Sequence, residues 1–556
     1  MTLLQDSSSE SISRGLGGNL YWLALASVLA LSSFVSFQNL GSPHITWWDE
    51  AEHVNVVENL AERCCLPQLH HTDGVPIDYR DWTNNGLWLH KPRLPFYVSA
   101  VSYRFLGGSL WAFRLPGAIF ALLTAVVIFF TGQKFLNRQA AILGAAVYGL
   151  NPFTNELVHG RIYSGTPDLA LAFFLSIAIY LLLDWQQNRS MASLRWFGVV
   201  LGLAYLTKGG LALPPFVVLF GMEILQRGIR ATIPLLQSLL TFVVVAVPER
   251  LYWQLHYPTE FRYEEHLQLA HLFTVVEGHS GNFLAYLVGQ LTGILTPSMV
   301  FFAYAALAWA LVRFRPGTSA ATLSLWTLVY LVPLSLAVSK IQNFIFPVIP
   351  ALVLLTPYGI ETLLKAQKFA LLLSLSVTSL AAHGVTYATR TFEHQNSWDF
   401  LGITIVFLLV HGLIVALKYE SPRVATTCLG LALAGLVLAY PLQDIQANTA
   451  EPEGGARQAE VRKVGSDLRS VVGRDGVILT HRNTPQRAYL FLMYWADADV
   501  FDSCDPSGFR TQKRLYLLTE GTLRAPVLYR SAMGNLYSLD GVPYEEWAPV
   551  AAGACK

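Results

Sequence analysis

The chain has 556 residues, of which 53% are hydrophobic and only 13% are charged. Soluble domains carry roughly 25% charged residues, so this composition excludes a soluble globular protein and indicates an integral membrane protein. The formal net charge of +1 excludes a broadly basic surface. Nucleic acid is therefore not an expected partner.

The start of the chain, residues 1–18, is polar and precedes an apolar run at 19–40. It lacks the short apolar region and the small-residue cleavage site of a signal peptide. We therefore expect a cytoplasmic N-terminal tail over 1–18, followed by a retained membrane anchor.

Windows of about 19 residues predict thirteen transmembrane helices. They lie near 19–40, 112–131, 139–157, 167–184, 195–207, 211–226, 234–253, 284–312, 319–338, 343–361, 369–388, 399–417 and 424–443. Residues 94–107 are too short and too aromatic to cross about 30 Å of hydrocarbon, so they are predicted to form a helix in the membrane interface. The fold class is thus an all-α polytopic membrane protein over 19–444, with juxtamembrane helices in a first outer loop at 41–111.

Basic residues set the predicted orientation of these spans. With a cytoplasmic N-terminus, the short connections that fall inside carry Lys or Arg, as in "GQKFLNRQ", "DWQQNRSMASLR" and "KYESPR". Cytoplasmic loops carry this bias. We expect a multi-pass protein of the inner or plasma membrane, with its C-terminal tail on the outer side.

The tail, residues 445–556, changes character. Strand-length apolar runs such as "GVILT" and "RLYLLTEG" alternate with Gly, Pro, Asp or Asn, and "VRKVGSDLRSVV" has the pattern of a helix. Such runs are typical of short strands. The tail is predicted to be a small α/β domain on the outer side of the membrane.

The five cysteines give little support to a metal or redox site. They are Cys64, Cys65, Cys428, Cys504 and Cys555, and no CxxC motif occurs. Zinc and thioredoxin-type sites are therefore not expected, and a pairing of Cys504 with Cys555 is left open. We assign no metal ligands and no cofactor; a divalent-cation requirement is not indicated but stays open.

Polar residues suited to chemistry gather at the predicted outer ends of the spans and in the first outer loop. Each has an ordinary alternative: Asp49 with Glu52 forms a capping box, Asp168 follows a Thr-Pro helix start, Lys91 suits a snorkelling side chain, and His279 suits a surface position. Ionisable groups at membrane depth are costly and call for a functional explanation.

Together these residues indicate one kind of chemistry. The cations Lys91, Arg161, Lys208 and Lys340 suit a phosphate anion, and the carboxylates Asp49 and Asp168 suit activation of a hydroxyl. A phosphate headgroup with a long apolar tail is the form of a lipid-linked sugar. The motifs GxxxxGK[ST], GxSxG and HExxH are absent, which excludes ATP-driven, serine-hydrolase and zincin chemistry.

The order of "WWDEAEH", "LHKPRLPFY", "RIYSGTPDLALAFFL", "LAYLTKGGLALPP", "EGHSGNFLAYL" and "SKIQNFIFPVIP" over residues 19–361 resembles the GT-C glycosyltransferases that use polyprenyl-phosphate sugars. The similar branch is the protein-mannosyltransferase-like group, which includes the aminoarabinose transferase of lipid A. The resemblance implies a helical bundle with juxtamembrane helices in the first loop and often a C-terminal outer domain.

The resemblance also implies roles for individual residues. Asp49 would be the catalytic carboxylate with Glu50 beside it, and Lys91 and Lys208 would contact the donor phosphate. The remaining site residues on this reading are His90, Arg161, Asp168, His279 and Lys340. This chain departs from the family in two places: Arg93 replaces a proline and adds a phosphate contact or alters the loop, and Phe344 stands where the family often has a tyrosine.

The resulting hypothesis is a membrane glycosyltransferase of class EC 2.4 acting in the cell envelope. It would transfer a sugar from a polyprenyl-phosphate donor to a hydroxyl of a lipid, glycan or protein by a metal-independent, inverting mechanism with Asp49 as base, while Asp168 would orient Arg161 or a sugar hydroxyl. The alternatives are a lipid or sugar transporter or flippase without transfer chemistry, and a degenerate scaffold. Transporters often contain internal repeats; the sequence has none, and its ionisable residues lie at one face, which favours the enzyme.

Overall fold

The structure is a computed structural model. It describes residues 7–365 and 441–553, apart from short gaps at 47–48, 71–78, 81–85, 163–164, 277, 442–443, 451–454, 475, 481–487, 503–512 and 532. The spans predicted near 369–388, 399–417 and 424–443 lie outside the described residues, as do Cys504 and Cys555.

Helices dominate the first part of the chain. They are α1 (Ser7–Phe37), α2 (Asp49–Glu62), α3 (Leu94–Phe105), α4 (Leu110–Gly132), α5 (Arg138–Gly149), α6 (Pro152–Val158), α7 (Thr166–Asn188), α8 (Met191–Lys208), α9 (Pro214–Arg227), α10 (Leu236–His256), α11 (Pro258–Phe273), α12 (Leu291–Val312), α13 (Ser319–Leu336) and α14 (Ile349–Lys365). The residues predicted to lie in the interface at 94–107 form the short helix α3. It begins with a proline in its first turn, which suits a position whose N–H has no helical partner.

Three of the predicted spans differ from the structure in detail. The run at 139–157 is divided into α5 and α6, where the side chain of Asn151 accepts hydrogen bonds from the backbone of the first turn of α6. The predicted pair at 195–226 is bent by 91° between α8 and α9. Shortly before the break, which falls between Ala212 and Pro214, Gly209 follows the last residue of α8 with a φ of +58°, a conformation that glycine adopts at little cost. The "TKGG" segment therefore lies just before the corner of a broken helix pair.

Five of the described helical segments are long and apolar enough to cross a membrane, or six if the bent pair is one span. The multi-pass, mostly helical architecture is thereby supported, and the count of thirteen crossings stays a prediction.

The tail contains the small sheet that its strand-length runs predict. Its strands are β1 (Gly476–Thr480), β2 (Asp499–Asp502), β3 (Arg514–Thr519), β4 (Val527–Ser531) and β5 (Gly534–Ser538), in the spatial order β2-β1-β3-β5-β4. Strand β1 is parallel to β2 and β3, whereas β5 is antiparallel to β3 and β4. The helices α15 (Gly455–Val472), α16 (Ala488–Ala496) and α17 (Tyr544–Gly553) accompany it.

The tail and the first loop share one hydrophobic core. Val54 and Val57 of α2 belong to the same buried cluster as Leu468 of α15 and Leu490 of α16. Asn55 Nδ2 also donates a 3.1 Å hydrogen bond to the carbonyl of Leu490. The sheet unit is thus packed directly against the helix that begins with Asp49. In the same loop, Cys64 and Cys65 form a disulfide.

Candidate active site

Asp49, the predicted catalytic carboxylate, opens α2 and pairs with a lysine from the same loop. Its Oδ2 lies 2.8 Å from Lys91 Nζ, and the two side chains are 19% and 17% exposed. Asp49 and Lys91 are 42 positions apart in the sequence, so their meeting depends on how the loop folds back on α2. The structure therefore brings together the predicted base and the predicted phosphate ligand.

His53, which the sequence analysis did not single out, completes this cluster. Its Nε2 lies 3.2 Å from Lys91 Nζ. Its ring makes edge contacts with Trp88 and Phe96, at centroid distances of 5.7 and 4.8 Å. The spacing to Asp49 could have revealed it, because residues four apart share a helix face.

The charges around α2 displace two pKa values. Burial raises the pKa of Asp49, but the charge and the hydrogen bond of the Lys91 ammonium outweigh burial and hold that pKa well below its ordinary value. Burial and the Lys91 ammonium lower the pKa of His53 well below its ordinary value, and Lys208 contributes in the same direction. At neutral pH Asp49 is therefore ionised and His53 is uncharged. The effect of Lys208 on His53 also places the end of α8 near this cluster.

A second predicted carboxylate, Asp168, is fully buried in the first turn of α7. It forms an ion pair with Lys208 and accepts a 2.9 Å hydrogen bond from Asn343 Nδ2. Lys208 Nζ also lies 5.5 Å from the ring centroid of Phe344, where an aromatic face attracts a cation. The structure thus pairs Asp168 with Lys208 rather than with Arg161. Asn343 lies in the "SKIQN" segment, but its side chain was not among the predicted site residues.

Residues flanking Lys91 contact α10 and α11. His90 Nδ1 lies 3.1 Å from Glu264 Oε2. Arg93 is buried, with its guanidinium 5.1 Å from the ring centroid of Trp253 and its Nη1 3.4 Å from Glu249 Oε1. These contacts hold the two ends of the "HKPR" turn, while Lys91 between them reaches Asp49.

Glu50 has a buried partner of its own. Its Oε1 accepts a 2.7 Å hydrogen bond from Arg114 Nε, and its Oε2 accepts one of 2.7 Å from the backbone N–H of Thr46. The remaining guanidinium nitrogens of Arg114 donate to the carbonyls of Leu40, Ser42 and His44. Glu50 therefore ties α4 to the segment that enters α2.

Three further predicted residues make their described contacts elsewhere. Arg161 pairs with Glu156 and donates a 2.9 Å hydrogen bond to Asn448 Oδ1. Lys340 Nζ donates to the backbone carbonyls of Leu334, Ser335 and Ala337. His279 contributes its carbonyl to the backbone N–H of Lys340 at 3.1 Å. These contacts connect neighbouring segments of the bundle rather than extending the Asp49–Lys91 cluster.

A cleft opens beside α2. It is lined by Glu50, His53, Phe113, Arg114, Leu157, Val158, Gly160, Ile162, Gly165 and Thr166. Gly160 has a φ of +65°, and a Cβ at this position would collide with the Glu50 carboxylate. The loop before α7 can approach α2 so closely because this residue has no side chain.

Comparisons with known proteins agree with this architecture. Residues 90–253 match the family model described as dolichyl-phosphate-mannose-protein mannosyltransferase. The undecaprenyl phosphate-alpha-4-amino-4-deoxy-L-arabinose arabinosyl transferase of Aeromonas hydrophila is 26% identical over 415 residues, covering 69% of this chain and 73% of that protein. The second transferase so described in Proteus mirabilis is 27% identical over 302 residues, covering 51% of this chain and 52% of its own length.

A solved structure extends the likeness over almost the whole fold. The crystal structure of ArnT from Cupriavidus metallidurans bound to undecaprenyl phosphate covers 93% of this chain and 97% of its own, with a TM-score of 0.64 and 18% sequence identity. At this identity the likeness concerns the fold alone. With the sequence relatives, it confirms the predicted resemblance to GT-C enzymes, and those relatives support a membrane glycosyltransferase that depends on a polyprenyl-phosphate sugar.

Proposed function

We propose that the chain transfers a sugar from a polyprenyl-phosphate donor to a hydroxyl group of an acceptor at the outer face of the membrane. The observation that carries this proposal is the Asp49–Lys91 pair, 2.8 Å apart, with Lys208 close enough to act on the neighbouring His53. A carboxylate paired with one lysine, with a second lysine within electrostatic range, offers a base for the acceptor and cations for a phosphate leaving group. Two sequence relatives are named as transferases of an undecaprenyl phosphate-linked sugar, which supports a polyprenyl-phosphate sugar as the donor.

The reaction balances with these groups. The acceptor oxygen forms a bond to the anomeric carbon while its proton passes to Asp49. The bond between that carbon and the phosphate oxygen breaks, and the electron pair leaves with polyprenyl phosphate. Lys91 and Lys208 stabilise the charge that develops on the phosphate, an effect that is strong where water is excluded. The configuration inverts if the acceptor attacks opposite the leaving group, as in inverting glycosidases.

The ion pair also indicates how the base becomes active. Asp49 bound to Lys91 has a depressed pKa, whereas an efficient general base has a pKa near the working pH. A donor phosphate that attracts Lys91 would relieve the depression, because a nearby cation is what stabilises the ionised carboxylate. Donor binding would therefore prepare Asp49 to accept the proton.

The other predicted residues are assigned supporting positions. Asp168 and Asn343 would hold Lys208 in place, on the strength of their contacts described above. His90 and Arg93 would fix the turn that carries Lys91. Phosphate binding by Arg93, Arg161 and Lys340, a role for His279, and the predicted membrane orientation remain predictions. The transporter alternative has no support among the relatives.

The proposal is tested by turnover with purified protein in lipid nanodiscs. Mass spectrometry of envelope lipids and glycans, with and without the gene, first identifies the sugar and the acceptor. With these substrates, Asp49→Asn should lower turnover by about 10²- to 10⁴-fold, the usual contribution of a general base, while binding of undecaprenyl phosphate persists.

A matched control lies at the other end of α7, where Asp184 pairs with Lys134 at 2.8 Å. Asp184→Asn changes the same functional groups far from α2 and should leave the turnover of folded protein nearly unchanged. Near-normal turnover of Asp49→Asn would remove Asp49 from the mechanism. Unchanged envelope lipids and glycans without the gene would contradict the proposed transfer.

A further inference from the structure

His53 occupies a position that the proposed reaction does not yet use. It lies four residues after Asp49 on α2, is 3% exposed, and has Nε2 3.2 Å from Lys91 Nζ. Burying an imidazole costs free energy unless its ring nitrogens find partners. The contact with Lys91 is therefore a specific interaction of the cluster rather than general packing.

The chemistry of the two groups fixes the direction of this hydrogen bond. A lysine ammonium has three donors and no acceptor, whereas a neutral imidazole has one donor and one acceptor nitrogen. Nε2 of His53 must therefore accept from Lys91, and the ring proton is on Nδ1. Burial and the positive charges of Lys91 and Lys208 keep the ring neutral, which preserves the acceptor.

Two aromatic rings that also contact each other, 5.1 Å apart, pack against the ring of His53. Trp88, from the segment before the "HKPR" turn, and Phe96, from α3, contact it edge-on. Edge-to-face aromatic contacts constrain ring orientation as well as position. His53 therefore presents Nε2 to Lys91 in a fixed direction.

A lysine held by a neutral imidazole keeps its net positive charge, whereas a lysine held by a carboxylate is neutralised. Lys91 shares one proton with Asp49 and one with His53, which leaves a third for another acceptor. His53 restrains the ammonium without cancelling its charge, so Lys91 keeps its attraction for a phosphate. Lys208, in contrast, is anchored by the carboxylate of Asp168.

We propose that His53 is a positioning residue for sugar transfer, whose Nε2 holds the Lys91 ammonium between Asp49 and the donor phosphate. The proposal rests on the proposed function and deepens it. While His53 Nε2 accepts one hydrogen bond, the Lys91 ammonium can donate another to an incoming phosphate and stay in the site. Without it, the ammonium would collapse onto Asp49 and keep the base blocked.

The test compares two nearly isosteric substitutions, His53→Gln and His53→Met. Glutamine supplies an amide oxygen that accepts a hydrogen bond, whereas methionine fills the space with only a weak acceptor. His53→Met should lower kcat roughly 10- to 100-fold, the range expected when a hydrogen bond to a charged group is lost. His53→Gln should recover kcat to within several-fold of the wild-type enzyme.

Three further readouts separate positioning from folding and from donor affinity. The unfolding temperature reports the folded state, the Kd for undecaprenyl phosphate reports donor binding, and KM reports the acceptor. We expect the effect on kcat to exceed the effects on KM and Kd. If His53→Met unfolds, His53→Gln decides alone: a loss above tenfold at normal stability and normal Kd contradicts the proposal.

Equal kcat values for the methionine and glutamine variants would also contradict it, whether both match the wild-type enzyme or both fall. Failure of the His53 proposal can be told apart from failure of the proposed function. Wild-type turnover in the same assay, and its loss in Asp49→Asn, test the proposed function separately.

Discussion

The first turn of α2 carries two acidic residues side by side, and the structure gives them opposite surroundings. Asp49 faces Lys91 in a pair whose side chains are 19% and 17% exposed. Glu50 faces Arg114 in a pair whose side chains are 6% and 3% exposed. Each carboxylate has a cation at 2.7–2.8 Å, so proximity to a cation does not distinguish them.

The two ion pairs differ in the other partners of their cations. Arg114 donates to three backbone carbonyls besides Glu50, so all three nitrogens of its guanidinium are already hydrogen-bonded. Lys91 contacts the side chains of Asp49 and His53, and its bond to Asp49 can be exchanged for a bond to a phosphate while His53 still holds the ammonium. We therefore propose that the Asp49–Lys91 pair takes part in the reaction, because Lys91 has few fixed hydrogen-bond partners. The Glu50–Arg114 pair has many fixed partners and is assigned a structural role.

The largest effect should come from breaking the structural pair. Arg114→Met leaves Glu50 as an uncompensated buried charge and frees three carbonyls, which should cost about 3–5 kcal/mol of unfolding free energy. Thermal unfolding in nanodiscs measures it. The double variant Glu50→Gln with Arg114→Met should be less destabilised than the sum of the single variants, because the stranded charge is gone. Strict additivity would mean that the two side chains do not depend on each other.

A smaller loss should follow from filling the space at Gly160. Gly160→Ala places a Cβ against the Glu50 carboxylate in a positive-φ conformation, and we expect a loss of about 1–3 kcal/mol. Gly221→Ala is the control, since its Cβ would meet Leu325 at an ordinary 3.7 Å. Equal unfolding temperatures for the two variants would show that Glu50 does not require this close approach.

The tail that contains the sheet should influence the Asp49–Lys91 pair through Gln458 of α15. Its Oε1 accepts from the backbone N–H of Ile45 at 3.0 Å, and its Nε2 donates to the carbonyl of Ile45 at 2.5 Å. Gln458→Leu leaves both backbone groups unsatisfied and should cost about 1–3 kcal/mol, with a measurable loss of turnover. Normal turnover together with normal stability would indicate that the segment before α2 does not depend on this clamp.

The smallest effect concerns Glu58, farther along α2. Burial and the nearby Asp497 raise the pKa of Glu58 to about 7, against an ordinary value of 4.5. Because the folded state favours the protonated form, this stability is fully present below pH 4.5 and is lost as pH rises through 7. The full pKa difference would correspond to about 3 kcal/mol, and solvent screening of the partly exposed Glu58 reduces the expected loss to about 1 kcal/mol. Glu58→Gln should flatten this part of the stability–pH curve, and an unaltered curve would exclude Glu58 as its source.

Local patterns predicted much of the fold. The aromatic stretch at 94–107 predicted a short helix, and α3 occupies 94–105. The Gly- and Asp-punctuated runs of the tail predicted strands, and β1 and β3 coincide with "GVILT" and "RLYLLT". The 91° bend between the segments Met191–Ala212 and Pro214–Arg227 was not predicted, because apolar windows measure length and hydropathy and contain no information on direction.

The residues of the candidate site were predicted better than their pairings, because motifs also contain no information on direction. The motifs singled out Asp49, Lys91, Asp168 and Lys208, but they left open which carboxylate meets which cation. Asp168 was expected to orient Arg161 or a sugar hydroxyl, and the fold pairs it with Lys208, 40 residues away. His53 was missed because a histidine on a buried helix face has no distinctive pattern until its partner is known.

The sequence by itself determined the membrane character, the start of α7 at Thr166 and Pro167, and the shared face of Asp49 and His53, because these depend on composition and on contacts within one helical turn. Only the tertiary structure decided that Asp49 meets Lys91 while Glu50 meets Arg114. These partners lie 42 and 64 residues away along the chain. Such contacts follow from how α2, α4 and the "HKPR" turn pack together, and residues adjacent in sequence can therefore have quite different roles.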